Sequence, residues 1–283
     1  MSYNDLTVII TSFKSEKKII PCLESINSNL RVIVIENSND KILADKIKKK
    51  FSNVECVLSK ENLGYAKGNN LGLSMVKTKF ALIINPDAIL EESSIENFFK
   101  SAKINPEFAI ISPLIQEYKS KEKSKINLED TNLIEVNNVK GFAMFLNINT
   151  FKNIGFFDDK FFIYFEEIDL CKRLRDENKK IYLDKTIKVL HLGASSHDYS
   201  INYEMELSRN WHWMWSTFYY HYKHNGYFFS LIKITPKFFS AFFKIILYSL
   251  FINKQKKMIY YQRFSGLLNS ILLKKSWYRP KLF

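Results

Sequence analysis

Two patterns alternate along the first part of the chain. Short apolar, β-branched runs recur at residues 6–11, 31–35, 54–58, 80–84 and 108–112. Between them lie longer stretches with apolar residues at helical spacing. These are 15–27, a Lys-rich stretch ending near Phe51, 66–76, and 91–103 with Ser93 or Ser94 near its start. Continuous apolar strands alternating with amphipathic helices predict βαβ units and a mostly parallel sheet covered on both faces. Residues 116–133 are charged and irregular and read as an exposed loop. Residues 139–146, 181–183 and 189–190 read as further strands. Residues 166–177 read as a helix, with Ile168, Leu170, Cys171 and Leu174 at its packing positions.

The pattern changes in the last quarter. Trp211, Trp213, Trp215, Phe218, Tyr219, Tyr220 and Tyr222 form an aromatic cluster that includes His212, His221 and His224. Residues 227–251 are strongly apolar but interrupted by Lys233, Lys237 and Lys244, which fall within about 40° of one another on a helical wheel. Pro236 is expected to kink or restart this helix. The uncharged stretches are shorter than the ~18 residues of a membrane span. A helix lying in the bilayer interface fits the pattern better. The alternative is a helix packed on the preceding domain with its lysines in water.

Composition and charge sharpen this division. The 283 residues are 46% hydrophobic with 8 Gly and 6 Pro, which excludes a disordered or collagen-like chain. The formal net charge is +13, from 42 Lys+Arg against 29 Asp+Glu. The last acidic residue is Glu206, so the whole excess belongs to residues 207–283. A boundary near 206 is therefore expected, and a basic extension implies an anionic partner. Lys254, Lys256, Lys257, Lys274 and Lys275 add clusters that anionic lipid would attract. Cys22, Cys56 and Cys171 lack the spacing of a disulfide framework or a zinc site and read as small buried hydrophobes in a reducing compartment. The first residues, MSYNDLTVII, carry no secretory pattern.

In an open parallel sheet, ligands bind beyond the carboxyl ends of the strands, so the polar residues there hold the candidate chemistry. They are Thr11-Ser12 after the first strand, Glu36-Asn37-Ser38 after the second, residues 61–70 (ENLGYAKGNN) after the third, and Asn85-Pro86-Asp87 after the fourth. Gly64 and Gly68 permit close backbone approach before a helix start, and Lys67 adds charge there. A turn before a helix carries Gly and Asn for steric reasons alone, so this segment is weak by itself. Asp87, held by a rigid proline, suits a hard divalent cation shared with diphosphate oxygens, although a plain Pro-Asp turn looks the same. Glu166, Glu167 and Asp169 follow the aromatic run FFIYF. Apolar surroundings raise a carboxyl pKa toward general-base range, whereas simple helix-start charge is the bland reading. His191 ends an apolar strand and can complete a metal site, with His197 as its neighbour and competitor.

Taken together, VIITSF (8–13), VIENSND (34–40), ENLGYAKGNNLGL (61–73), NPDA (85–88), GFAMFLN (141–147), GFFDDKFFIYFEEIDLCKRL (155–174) and HLGASS (191–196) resemble family-2 glycosyltransferases of the GT-A fold, especially the rhamnosyltransferase-like bacterial branch. The resemblance spans about residues 6–226 and implies an α/β, Rossmann-like, mostly parallel sheet flanked by helices. Residues 1–206 would form the nucleotide-sugar-binding and catalytic domain. Residues 207–283 would form a helical, basic-aromatic extension that meets an anionic membrane surface.

Position by position, the resemblance implies that Thr11, Ser12 and Glu36 contact the nucleoside of a nucleotide-sugar. Asn62, Gly64, Lys67 and Asn69 would border the nucleotide and diphosphate. Asn85 and Asp87 stand at the family's DxD position, with Asp87 binding Mg²⁺ or Mn²⁺ and His191 assisting. One of Glu166 and Glu167 would be the base, with Glu167 first in line and Asp169 a further alternative. Arg209-Asn210 and Lys223-His224 match the segment after the catalytic core. Two departures stand out: Asn85 replaces the first Asp of DxD, and Glu167, one methylene longer, replaces the usual Asp.

The implied reaction moves a sugar, with inversion, from a nucleotide-sugar to a saccharide or lipid-linked saccharide acceptor. Such a step belongs to bacterial surface polysaccharide or lipopolysaccharide synthesis, at the inner face of the cytoplasmic membrane. The competing expectations are a sugar nucleotidyltransferase and a nucleic-acid-binding protein using the basic tail. The second is disfavoured because the aromatics sit in apolar helical stretches rather than along a polar groove.

Overall fold

The computed structural model describes residues 1–114, 132–191 and 197–280. The loop expected at 116–133 lies outside the described residues up to 131, as do residues 192–196 of the HLGASS motif. The chain divides into two compact units. One is Met1–Phe157 with Leu170–Asp198; the other is Asp158–Asp169 with Tyr199–Phe283. The change in charge at 206 therefore falls eight residues inside the second unit, which also takes in a segment from earlier in the chain.

The first unit begins with β1 (Leu6–Ser12), α1 (Glu16–Glu24), β2 (Arg31–Glu36), α2 (Lys41–Lys50), β3 (Val54–Leu58), α3 (Gly64–Ser74) and β4 (Phe80–Ile84). There follow β5 (Ala88–Leu90), α4 (Ser94–Ile104), β6 (Phe108–Pro113), β7 (Leu133–Glu135) and β8 (Ala143–Asn147). After helix α5 (Glu166–Asp176) come β9 (Lys180–Asp184) and β10 (Val189–His191). Eight strands form one sheet in the order β3-β2-β1-β4-β8-β6-β9-β7. Strands β1 to β4 are parallel neighbours. Strand β8 runs antiparallel to both β4 and β6, β6 and β9 are parallel, and β7 closes the edge antiparallel to β9. The sheet is thus a parallel half joined to a mixed half through β8. Apolar composition alone does not distinguish the direction of a fully buried strand such as β8.

Continuous burial of β1, β2 and β4 explains their unbroken apolar sequences: Val8, Ile9, Ile10, Val32, Ile33, Val34 and Leu82 are all completely buried. Around Phe145 the rings of Phe80, Phe98 and Phe108 stack at centroid distances of 5.1, 5.1 and 5.6 Å. Such pairs contribute roughly 0.5–1.5 kcal/mol each beyond the area they bury. Helix α3 lies close on β1 because two glycines face it: a Cβ at Gly72 would meet Ile9 Cγ2 at 2.6 Å, and one at Gly68 would meet Thr11 Cγ2 at 2.6 Å. The helix starts two residues before the expected position because Gly64 takes a φ of +74° and Asn62 Oδ1 accepts from its N–H.

The second unit is helical: α6 (Asn202–Asn225), α7 (Tyr227–Leu250) and α8 (Lys254–Ile271), with the first turn of α5. The aromatic cluster on α6 forms its core. Trp211, Met214, Trp215 and Phe218 are buried, while Trp213 remains 45% exposed. Gly266 lets α8 cross α6 closely, since a Cβ there would lie 2.2 Å from the Trp211 carbonyl oxygen. The chain after α8 folds back. His212 Nε2 donates to the Tyr278 carbonyl at 2.8 Å, and Trp215 Nε1 donates to that of Lys274 at 2.9 Å. Burial holds the His212 pKa down at about 3, so the ring is neutral and structural. Helix α7 runs through Pro236 as one helix, so of the expected kink or restart the restart does not occur. Among the described residues, no helix is long and apolar enough to cross a membrane.

Candidate active site

Strands β1 to β4 are parallel, so the segments that follow them gather at one sheet edge. The strand order turns outward from β1 in both directions there, the place where open α/β sheets take ligands. Thr11 and Ser12 end β1. The Ser12 hydroxyl is buried and finds no partner among the described residues. Thr11 Oγ1 donates to Asn69 Oδ1 at 3.0 Å, and Asn69 Nδ2 donates to the Tyr65 carbonyl at 2.9 Å. Asn69 is completely buried and braces α3 against β1. Glu36, also completely buried, accepts from the Ser38 N–H and hydroxyl and from the Asp40 N–H. Its carboxylate anchors the loop after β2. Asn37, one of the strand-end residues expected to line this edge, donates from Nδ2 to the Gly64 carbonyl at 3.0 Å and joins that loop to the start of α3. Lys67 is exposed on the same helix.

The Asn85-Pro86-Asp87 turn follows β4. Asn85 N–H donates to the Phe142 carbonyl at 2.8 Å, and its own carbonyl accepts from Ala88 N–H at 3.0 Å, which closes the turn. Strand β5 begins there and pairs antiparallel with β10, setting His191 opposite Ala88. This two-stranded ribbon brings together residues 104 positions apart: His191 Nε2 lies 3.7 Å from Asp87 Oδ1. The Asp87 side chain is fully buried, and the imidazole stacks on Phe142 at 4.6 Å and 25°. His191 Nδ1 is buried with no partner among the described residues. The Cys22 thiol beneath is held well above its ordinary pKa by burial and by the Asp87 charge.

One carboxylate oxygen and one imidazole nitrogen at this spacing fit a divalent cation that takes its remaining ligands from phosphate oxygens. Among the described residues no group of three or more His, Cys, Asp or Glu forms a complete protein cage. Two protein donors leave the remaining positions of such a cation open to substrate oxygens or water.

The acidic cluster opens α5 in the second unit. Tyr164 and Phe165, just before it, both adopt left-handed backbone, with φ of +71° and +70°. Residues with side chains reach this region at a cost of roughly 1–3 kcal/mol, and packing must hold them there. Trp213 supplies part of it, with ring distances of 5.3 Å to each. The sharp turn leaves Glu166 and Glu167 in the first helical turn. Glu166 is buried, and its carboxyl is held well above the usual range by burial first and by the Glu167 charge second. Glu167 is raised too, chiefly by burial. One oxygen of each carboxyl finds no partner among the described residues. Asp169 is different: its Oδ1 lies 2.7 Å from Lys223 Nζ and 2.8 Å from His224 Nε2.

Tyr164 and Trp213 also line a cavity of about 390 Å³ with Glu206, Arg209, Asn210 and Arg263. Arg263 Nε donates to Asn210 Oδ1 at 2.6 Å. Burial pushes the Tyr164 hydroxyl pKa up to about 12, with Arg209 opposing and the two glutamates adding to the shift. The aromatic run FFIYF was the only sequence signal for Tyr164, and its backbone conformation is invisible in composition.

Comparison with known proteins places this arrangement. The chain is 26% identical over 212 residues to the low-salt glycan biosynthesis hexosyltransferase Agl10 of Haloferax volcanii, covering 66% of this chain and 67% of that protein. It is 23% identical over 220 residues to the rhamnosyltransferase WbbL of Escherichia coli K12, covering 65% and 82%. The fold matches the mannosyltransferase PcManGT of Pyrobaculum calidifontis, solved with GDP-Man and Mn²⁺. That match has a TM-score of 0.61 and 10% identity, over 96% of this chain and 88% of that one. A sequence model of the family described as glycosyl transferase family 2 matches residues 7–171. With more than half its length under that match, the chain belongs to glycosyl transferase family 2.

Proposed function

We propose that the chain moves one hexose or rhamnose-like sugar from a nucleotide-sugar to a hydroxyl of a saccharide acceptor, with inversion at the anomeric carbon. The observation that carries this reading is the pairing of buried Asp87 with His191 at the sheet edge where β1 to β4 end. Thr11 and Ser12 are proposed to meet the nucleoside, with Glu36 fixing the loop beside them. Asn62, Gly64 and Asn69 shape the border toward the diphosphate, Lys67 adds positive charge there, and Asn85 holds the turn that presents Asp87.

Asp87 and His191 would hold Mg²⁺ or Mn²⁺, which when bound offsets the charge that grows on the leaving nucleoside diphosphate. Glu167, or Glu166 beside it, takes the proton of the acceptor hydroxyl at its unpartnered carboxylate oxygen as that hydroxyl attacks. The cavity between Tyr164 and Arg263, with its indole face and guanidinium groups, suits a saccharide that bears an anionic group. A lipid-linked saccharide of a surface polysaccharide or lipopolysaccharide pathway has that chemistry. It also makes an anionic membrane surface, at the inner face of the cytoplasmic membrane, the partner of residues 227–283.

A thermal-shift panel of nucleotide-sugars, with and without Mn²⁺, tests the donor reading. The true donor raises Tm in the wild type by mass action, and more so with Mn²⁺. Asp87→Asn loses the Mn²⁺-dependent part. If no nucleotide-sugar shifts the wild type, or Asp87→Asn responds as the wild type does, the assignment fails.

A further inference from the structure

Helix α7 is inverted relative to an ordinary surface helix. Its inward side is marked by Ser230, Ile234 and Ala241, all buried. At about 100° per residue, Phe228, Ile232, Phe239, Phe243, Ile246 and Leu250 fall within roughly 60° of one another, on the side diametrically opposite. These six are 81%, 73%, 52%, 62%, 45% and 75% exposed. A helix facing water carries polar residues along that line. A contiguous apolar stripe there marks an interaction surface.

What covers the stripe follows from the charges around it. Lys233, Lys237 and Lys244 fall within about 40° of one another, between the stripe and the inward side and roughly 130° round from the stripe's centre. The stripe continues into the turn at Phe251 and Ile252, 73% and 80% exposed, and exposed Lys254, Lys256 and Lys257 come next. No carboxylate side chain occurs after Glu206. A second copy seated on α7 by two-fold pairing would bring two strongly basic extensions together, with no acidic side chain after Glu206 in either to offset them. An anionic bilayer satisfies both features, taking the aromatic and aliphatic side chains at the boundary between headgroups and acyl chains and the lysines at the headgroups. With no described helix able to span, the helix would lie in the plane of the interface.

We propose that the outward stripe of α7, from Phe228 to Leu250 with the turn after it, is a monotopic lipid-binding surface for anionic bilayers. The proposal rests on the membrane part of the reading above and is independent of which sugar is transferred.

The test is co-sedimentation of the full chain with vesicles of phosphatidylcholine alone or with added phosphatidylglycerol, across a salt series. The wild type binds the anionic vesicles. The triple variant Phe239→Ser, Phe243→Ser, Ile246→Ser loses at least about tenfold in partitioning at every salt concentration. The variant Lys233→Gln, Lys237→Gln, Lys244→Gln loses about tenfold or more at low salt on anionic vesicles and much less at high salt. Circular dichroism and the nucleotide-sugar thermal shift confirm that each variant is folded. Should the serine variant fail to fold, Phe243→Cys carrying an environment-sensitive dye replaces it, and its emission shifts to the blue on anionic vesicles only.

If the wild type binds but the serine variant binds equally, or the dye does not respond, this face is not the contact and the membrane reading survives. If the wild type binds neither vesicle, both fail. If it forms dimers that the serine variant abolishes, and ignores vesicles, the occupant is a second copy and the proposal is overturned. Failure of every sugar donor leaves the vesicle result readable.

Discussion

Lys223 Nζ sits 2.7 Å from the buried Asp169 Oδ1, the oxygen that His224 Nε2 also approaches, and the same ammonium group reaches Asp158 Oδ2 at 2.8 Å. Both of that oxygen's neighbours belong to α6. Of the three acids at the start of α5, Asp169 is therefore suited to tie the segment to α6. Asp169→Asn is expected to cost about 3–5 kcal/mol, as breaking a buried pair does, with a matching loss of Tm. Glu167→Gln is expected to keep the fold and lose about 10²–10⁴ in turnover. Paired thermal melts and transfer rates check this. A stable Asp169→Asn with lost turnover would return Asp169 to the list of bases.

The raised carboxyl pKa of Glu166 carries a sign that melting curves can read. Its folded pKa lies above the ordinary 4.5, so the native state binds the extra proton. Stability then falls as pH rises from the unfolded value through the folded one, and the loss persists above it. Glu166→Gln, which stays neutral, should stabilise the fold near pH 7 and flatten that part of the profile. Turnover in the wild type should fall on the acid side at a pH above that of an ordinary carboxylate, since the base must be ionised.

Gly266→Ala introduces a methyl group into the space of the Trp211 carbonyl, 2.2 Å away. Backbone does not yield as a side chain end does. The expected loss is about 1–3 kcal/mol, the usual cost of overpacking. Gly155→Ala serves as the contrast for space, since no heavy atom lies within 4 Å there, but its φ of +73° adds strain. A comparison by chemical denaturation separates the two.

His212 makes the second unit acid-sensitive. With a folded pKa near 3 against an ordinary 6.5, the native state excludes a proton that the unfolded state takes up. Stability is fully present above the unfolded value and is lost as pH falls toward the folded one, by up to about 4 kcal/mol. His212→Gln keeps a donor for the Tyr278 carbonyl and removes the titration. Its Tm should decline less between pH 6.5 and 4 than the wild type's.

The parallel half of the sheet was legible because burial on both faces leaves an unbroken apolar run. Val54–Leu58 and Phe80–Ile84 are found with their expected bounds. The β5 ribbon was not legible: three residues after a turn carry no periodicity, and their pairing with β10 spans most of the first unit in sequence. Gly64 and Gly68 were readable as close-approach positions and Gly72 was not; only the structure shows that at 68 and 72 the approach is helix to strand. Family membership sets aside the nucleotidyltransferase and nucleic-acid-binding expectations. Charge counting put a boundary at 206, yet hydrogen bonding and packing run on other lines. Charge reports what faces solvent, whereas a folding unit is defined by what it buries.

Residues 158–169 group with the C-terminal helices although 29 residues of the first unit lie between them in sequence. Tyr219 and Lys223 hold Asp158, Ser216 holds the Ile163 carbonyl, and the His212 ring stacks on Phe162. Removing the basic helices would therefore strip the neighbours from the two glutamates as well. A chimaera that exchanges tails between relatives has to carry this twelve-residue segment along, because the C-terminal helices and the stretch that holds Glu166 and Glu167 pack as one unit.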